Sequence, residues 1–425
     1  MLLWTLGLSL FFYNWPLQAV FPLLAKLKPT ILLPALAGLV WLTDPLPIRA
    51  HRRVDGRIYR FLAAILCLGF LSIPFSANRR VSFDFFTTDL IFSFAWMTFL
   101  AAAIRTERDV EWLMRAFAIG CFAYTGFSFA RSGGGRLAGI AYYDANDLGL
   151  MVLCALPFSV HLVRKRGGIW KLFGVVSAAF GVYIVIQTES RGAFLGLVAV
   201  GAYILTAYRS VSKAVRIGVV GLAVVVLFVF AGGDYWTRMS TVLKPTEDYN
   251  FSGQTAAGRG EIWKRGIGYM LKNPVGVGLN AFGQADGRSE LAIAMVNSGH
   301  GFKWTAPHNS FVQVGAELGV GGAFCFISAI VLIFKALLRV SKNADPSSER
   351  GPIAEALTAC MVAYVVSGFF LSFAYSTLIY FLFGVILGFL KLEPLIRGAK
   401  GTASPARAPV RGRRKRPFRP AQAAR

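Results

Sequence analysis

Apolar runs separated by short polar breaks dominate the chain. Stretches rich enough in apolar residues to match the roughly 20 that an α-helix needs to cross a bilayer core recur near residues 2–23, 30–43, 61–76, 89–104, 110–130, 148–163, 170–188, 192–208, 215–231, 309–336, 355–373 and 374–391. The pattern predicts an all-α polytopic membrane protein of about 12 transmembrane helices. The first two runs are short or interrupted by Pro16 and Pro34, so 10 to 12 spans fit it. No repeat of 20–50 residues is visible.

One segment breaks the rhythm. Between Ala231 and His308 the chain is polar and rich in turn residues. Asp234 to Gln254 reads as irregular, Arg259 to Leu271 as a short helix, and Pro274, Gly276, Gly278 and Gly283 enforce a bend. On a 3.6-residue wheel Ile262, Trp263, Ile267, Met270 and Leu271 share one side, and Glu261, Lys264, Arg265 and Lys272 the other. That predicts an amphipathic helix lying along the membrane interface or capping the bundle. Arg259 violates the split by projecting into the apolar sector, where a guanidinium needs a carboxylate or a phosphate.

Composition agrees with the pattern. Of 425 residues, 55% are apolar, 14% aromatic and 16% charged, which excludes an ordinary soluble globule. The net charge of +24 is largely topological. With the N-terminus inside, the inner loops collect Arg49, Arg52, Arg53, Arg57, Arg60, Arg105, Arg108, Arg164, Lys165, Arg166, Lys171, Arg209, Lys213, Arg216, Lys335, Arg339, Lys342 and Arg350. That count is self-consistent only with 232–308 on the outer face. Two regions follow: a membrane domain over 1–396, with its outer loop at about 232–308, and a disordered cytoplasmic tail over 397–425. The tail carries ten basic residues and no acidic ones, and on a polytopic protein it is expected on anionic lipid, with no role for nucleic acid. The N-terminus lacks a positive n-region and a small-residue cleavage site, so it reads as a retained first helix. Cys67, Cys121, Cys154, Cys325 and Cys360 form no C-x-x-C pair and read as small core hydrophobes.

Candidate chemistry gathers at the expected outer face. Arg191, in Glu189-Ser190-Arg191-Gly192, sits at an outer helix junction, where its alternatives are snorkelling and pairing with Glu189. Arg259 and Arg265 offer planar donor forks suited to a diphosphate or to lipid headgroups. His308 opens a helix at the same surface and has an imidazole able to take a hydroxyl proton near neutrality. Asn309, Gln313 and Glu317, at four-residue spacing, form one polar stripe down that helix. His300 lies in a Gly-flanked loop, whereas His51 and His161 fall on the inner side. Asp144 and Asn146 precede another helix, as an N-cap or as groups that orient sugar hydroxyls or arginines. No third ligand is spaced to complete a metal site with Asp144 and Asp147.

In this order the motifs resemble the O-antigen ligase and polymerase superfamily of bacterial envelope glycan assembly. The matching residues are Tyr143-Asp144-Ala145-Asn146-Asp147-Leu148, Ser190-Arg191-Gly192, Gly258-Arg259 with Trp263, Asn273-Pro274 through Gly276-Val277-Gly278, and His308-Asn309 through Glu317-Leu318-Gly319. The resemblance implies a multi-pass enzyme of the bacterial inner membrane with both termini cytoplasmic and a periplasmic outer loop. It implies a metal-independent, inverting glycosyltransferase needing no cofactor. Its donor would be a glycan on undecaprenyl diphosphate, and its acceptor lipid A–core or another glycan. Carried over, His308 is the base, Arg191 and Arg259 hold the diphosphate with Arg265 in addition, and Asn309, Glu317, Asp144 and Asn146 support them. The same motifs serve ligases and polymerases, and the ligase is the reading preferred here. Two other classes stay open: a lipid-linked oligosaccharide transporter, which would favour a midplane site and internal repeats, and a non-catalytic scaffold of an export complex.

Overall fold

The computed structural model describes residues 2–15, 21–43, 56–140, 143–164, 168–244, 258–299, 304 and 306–392. His51, His300, residues 245–257 and the basic tail therefore lie outside the described residues, as do Arg49, Arg52, Arg53, Lys165 and Arg166. The described chain is helical throughout: α1 (Leu2–Tyr13), α2 (Pro22–Lys26), α3 (Pro29–Thr43), α4 (Gly56–Ser72), α5 (Arg79–Phe85), α6 (Ile91–Ala103), α7 (Glu107–Ala130), α8 (Ala145–Val163) and α9 (Gly168–Gln187). There follow α10 (Arg191–Ala207), α11 (Lys213–Phe230), α12 (Gly233–Ser240), α13 (Arg259–Lys272), α14 (Phe282–Gly287), α15 (Glu290–Asn297), α16 (Ser310–Asn343), α17 (Arg350–Gly368) and α18 (Thr377–Leu390).

Eight helical stretches among the described residues are long and apolar enough to cross a membrane: Gly56–Phe75, Arg79–Ala103, α7, α8, α9, α11, α16 and α17. Four further apolar segments, Leu2–Phe12, Leu32–Thr43, Arg191–Ala207 and Thr377–Leu390, are shorter than that. The expectation of about 12 spanning helices therefore meets eight of full length, and protein packing accounts for the difference at two of the short ones. Every residue of α18 from Leu378 onward is buried. At α10, Ser190 accepts from Ala193 N at the start, and the Glu355 carboxylate accepts from Arg209 N (3.0 Å) and Ser210 N (2.9 Å) just past the end. Helix ends satisfied by protein need not reach the headgroups.

At the centre stand α8 and α17, buried almost throughout and packed on each other. Around them, α9 packs on α8, α10 and α16 on α17, α4 and α13 on α16, and α6 on α18. α11 is peripheral, with Val226 as its one buried residue.

Following the helices in order sorts the connections into two ends. One end holds 104–106, Arg164, 208–212, 344–349 and Lys391. Ion pairs staple it: Arg115–Glu111 at 3.1 Å, Arg350–Glu107 at 3.8 Å, and Arg164 on Glu349. The other end holds 131–144, 188–190, 231–309 and 369–376. This second end carries the polar segment and the candidate chemistry.

Candidate functional site

The site is organised around the turn that joins α17 to α18, Phe369–Ser376. His308 N donates to Ser372 Oγ (2.8 Å), and Ser310 Oγ donates to Leu371 O (2.7 Å). Phe373 N returns a bond to Ser310 Oγ (3.0 Å), and Ala374 N donates to Gln313 Oε1 (3.3 Å). Trp263 of α13 packs on Phe369 and Phe370, with ring centroids 5.2 and 6.5 Å away, and its Nε1–H donates to Pro307 O at 2.9 Å. Gly192, next to Arg191, brings α10 against the same turn: a Cβ there would stand 3.1 Å from Phe370 Cβ. Tyr143, before α8, meets Phe373 at 6.4 Å. One turn thus gathers the starts of α8, α10 and α16 and the tryptophan of α13.

Each candidate side chain is set by its local sequence. Asn309 caps α16, its Oδ1 accepting from Phe311 N (2.9 Å) and Val312 N (3.1 Å). His308 just before it holds φ 47°. That left-handed conformation is unusual for a residue with a Cβ, though His is among the types that adopt it, and the side chain is half-buried. Asp144 caps α8, with Asp147 reciprocating. Ser190 caps α10, so Arg191 occupies its first turn. α8, α10, α16 and α18 all begin at this end, so the positive poles of four helix dipoles face it.

Around Arg191 the charges form a cluster larger than the sequence indicated. Arg191 Nη1 donates to Thr241 Oγ1 (2.9 Å), just past α12. Arg136, from the α7–α8 loop, donates through Nε to Thr188 O (3.1 Å) and through Nη2 to Asn146 Oδ1 (3.4 Å). Arg238 of α12 pairs with Glu189 at 3.5 Å. Burial lowers the Arg136 pKa from its ordinary value, and the neighbouring Arg238 and Arg191 charges push the same way against Glu189 and Asp144. Neither Arg136 nor Arg238 stood out in sequence. Their one signal was their place in loops on the arginine-bearing end. Asn146, expected to orient sugars or arginines, here accepts from an arginine.

On α13 the geometry separates the two arginines. Arg259 is its first residue and half-buried, on the side that buries Ile262 and Gly266 against α16 and one turn before Trp263. Arg265 forms a two-pronged pair with fully buried Asp286 of α14, Nε–Oδ1 2.6 Å and Nη2–Oδ2 3.0 Å. Tyr269 OH adds a bond to Asp286 Oδ1 (3.3 Å), and burial with that carboxylate charge pushes the phenol up to about 12. The expected apolar face of this helix shifts. Ile262 is buried, but Ile267 and Leu271 are 45% and 68% exposed. The packing face is centred instead on Gly266, where a Cβ would stand 2.4 Å from Val312 Cγ1, and close approach at a small residue outweighs bulk.

The polar stripe of α16 is internal. Glu317 accepts from Asn280 N at 2.8 Å, and the helix breaks two residues later, at Gly319 (φ 70°, ψ −173°). The break frees carbonyls, which the Asn273–Gly278 turn takes up: Val277 N donates to Ala316 O (2.9 Å) and Gly278 N to Glu317 O (3.1 Å). A Cβ on Gly319 would stand 2.1 Å from Pro274 O, and one on Gly276 2.2 Å from Glu317 O. The Gly/Pro motif is therefore a lock on the broken helix.

For a metal, the one group of three possible ligands among the described residues is Glu111, His161 and Glu349, at the opposite end. Arg115 and Arg164 already lie on its two carboxylates. His161 sits at that end, 3.6 Å from Glu111.

Residues 174–327 fit a family model described as O-antigen ligase. The matched stretch runs from α9 to the middle of α16 and includes Arg191, Arg259, Arg265, His308 and Glu317. A search of curated proteins returned no significant match.

Proposed function

We propose, from the fit of residues 174–327 to the O-antigen ligase family model, that this membrane protein is a ligase-type glycosyltransferase of the O-antigen ligase and polymerase superfamily. It moves a glycan from undecaprenyl diphosphate to an acceptor hydroxyl of lipid A–core at the outer face of the bacterial inner membrane. The observation that carries this reading is the convergence on the Phe369–Ser372 turn. His308 is bonded to Ser372, Trp263 of the Arg259 helix packs on Phe369, and Gly192 beside Arg191 packs on Phe370.

In the proposed reaction the acceptor hydroxyl oxygen attacks the anomeric carbon while the His308 imidazole takes its proton. The bond from that carbon to the phosphate oxygen breaks, and undecaprenyl diphosphate leaves with the electron pair. Charge grows on the leaving oxygen, so guanidinium groups placed in advance stabilise the transition state more than the ground state. Arg191 and Arg259 take that role, and the arginine cluster extends it to Arg136 and Arg238. Arg265 positions α13 through Asp286. Attack in a single displacement inverts the anomeric centre.

The test is transfer from a lipid-linked donor by the purified protein. His308→Asn keeps a residue type at ease with positive φ and is expected to slow transfer by about 10²–10⁴-fold, the usual worth of a positioned base. Arg259→Ala is expected to abolish transfer with expression intact. Near-normal rates in either variant would remove that residue from the mechanism. In cells, deletion is expected to leave full-length polymer on its lipid carrier and no ladder on the core. Cores capped by single repeats would instead identify a polymerase.

A further inference from the structure

Between α8, α9, α10 and α11 lies a cavity of about 350 Å³ in which every lining residue is apolar, Val182, Phe194, Val198, Gly201, Ala223 and Leu227 among them. It is more than twice the size of the cavity of about 150 Å³ that accommodates benzene in an engineered apolar core. Nothing in the proposed mechanism uses it. Its α10 wall begins at Phe194, one helical turn below Arg191, and ends at Leu205. At 1.5 Å per residue that wall runs roughly 16 Å, about half the hydrocarbon thickness of a bilayer. Arg216 Nη1 donates to Leu205 O (3.0 Å) and ties α11 to α10 at the far end. Phe194 and Leu227 mark its near end, towards the helix termini that carry Arg191 and Arg238. The α11 wall buries only Val226 and so presents little protein packing to block lateral entry.

We infer that this cavity holds the first isoprene units of the donor's polyprenyl chain while the diphosphate lies against the arginine cluster at the start of α10. The inference rests on the donor reading above and adds where its lipid goes. An anionic head on a long apolar chain matches the two parts of the site in order: cations at the helix start, then an apolar cavity one turn further in.

Gly201 offers a clean probe. A Cβ there meets nothing within 4 Å, and the residue lines the cavity, so Gly201→Phe fills the channel without a clash at its root. Gly221 of α11 is equally open but lies off the cavity, making Gly221→Phe the matched control. With a full-length polyprenyl donor, Gly201→Phe is expected to raise KM about tenfold, and with a geranyl-length donor to leave it within about twofold. Gly221→Phe is expected to change neither. Wild-type KM for the long donor in Gly201→Phe would overturn the inference. Ala223→Phe, from the facing wall, repeats the test should Gly201→Phe not fold.

A second readout needs neither turnover nor variants. A polyprenyl diphosphate bearing a diazirine near its head is expected to label α10 and α11 peptides of the wild-type protein. Labelling there without glycan transfer would sink the enzymatic reading and leave the lipid site standing. Transfer with labelling elsewhere would do the reverse. Equal labelling by a diazirine phospholipid that polyprenyl diphosphate does not displace would assign the cavity to bulk lipid and overturn the inference.

Discussion

Arg259 and Arg265 stand six residues apart on one helix, yet their surroundings differ in kind. Arg265 has both prongs of its fork on a carboxylate with no solvent exposure, whereas Arg259 lies at the helix start, one turn from the tryptophan that contacts the central turn. Removing one partner of a buried pair leaves the other charge uncompensated, so Arg265→Ala is expected to cost about 3–5 kcal/mol of stability. The Arg265→Ala/Asp286→Ala double variant should recover much of that loss in a detergent melt. Arg259→Ala should melt as the parent does and fail in transfer. Recovery of stability in the double variant without recovery of transfer would show that the pair also places α13 for chemistry. The sequence wheel singled out Arg259 through its clash with the apolar sector. It said nothing of Asp286, because a partner twenty-one residues away across a Gly/Pro bend has no periodic signature.

At the scale of elements, the decisive device is the break in α16. Freed carbonyls inside a bundle must find donors, and the Val277 and Gly278 amides supply them. Gly319→Ala places a Cβ 2.1 Å from Pro274 O at φ 70°, so it is expected to destabilise by more than the ~1–3 kcal/mol of a strained φ alone. Gly276→Ala should behave alike, since its Cβ would sit 2.2 Å from Glu317 O at φ 76°. Gly321→Ala, with its nearest neighbour 3.8 Å away, is the control and should melt within about 0.5 kcal/mol of the parent. The chain displayed the turn motif and the polar stripe as two separate features. That each exists to hold the other emerges only when Glu317 and Asn280 are brought into contact.

For the whole molecule, helix order alone puts the arginine cluster, α13 and His308 at one end and the ion-paired loops at the other. The bias of Lys and Arg towards the ion-paired end predicts that this end faces the cytoplasm. With the five native cysteines replaced, Arg288→Cys is expected to react with a membrane-impermeant maleimide in intact spheroplasts. Ser347→Cys should react only after permeabilisation. The opposite pattern would invert the protein and put the proposed donor site in the wrong compartment.

By itself the sequence determined whatever depends on neighbours along the chain. Apolar runs, the cap at Asp144 and the placing of cations are local properties, and they carried the membrane character and most of the candidate arginines. Tertiary structure alone decided which of those groups meet. The Phe369–Ser376 turn, which unites Arg191's helix, Trp263 and His308, reads in sequence as a short break between two spans. Arg136 and Arg238 read as loop charges until α8, α10 and α12 bring them beside Arg191. Contacts between residues fifty to two hundred positions apart leave no periodicity behind, because complementary shape and charge assemble them only once the helices have packed.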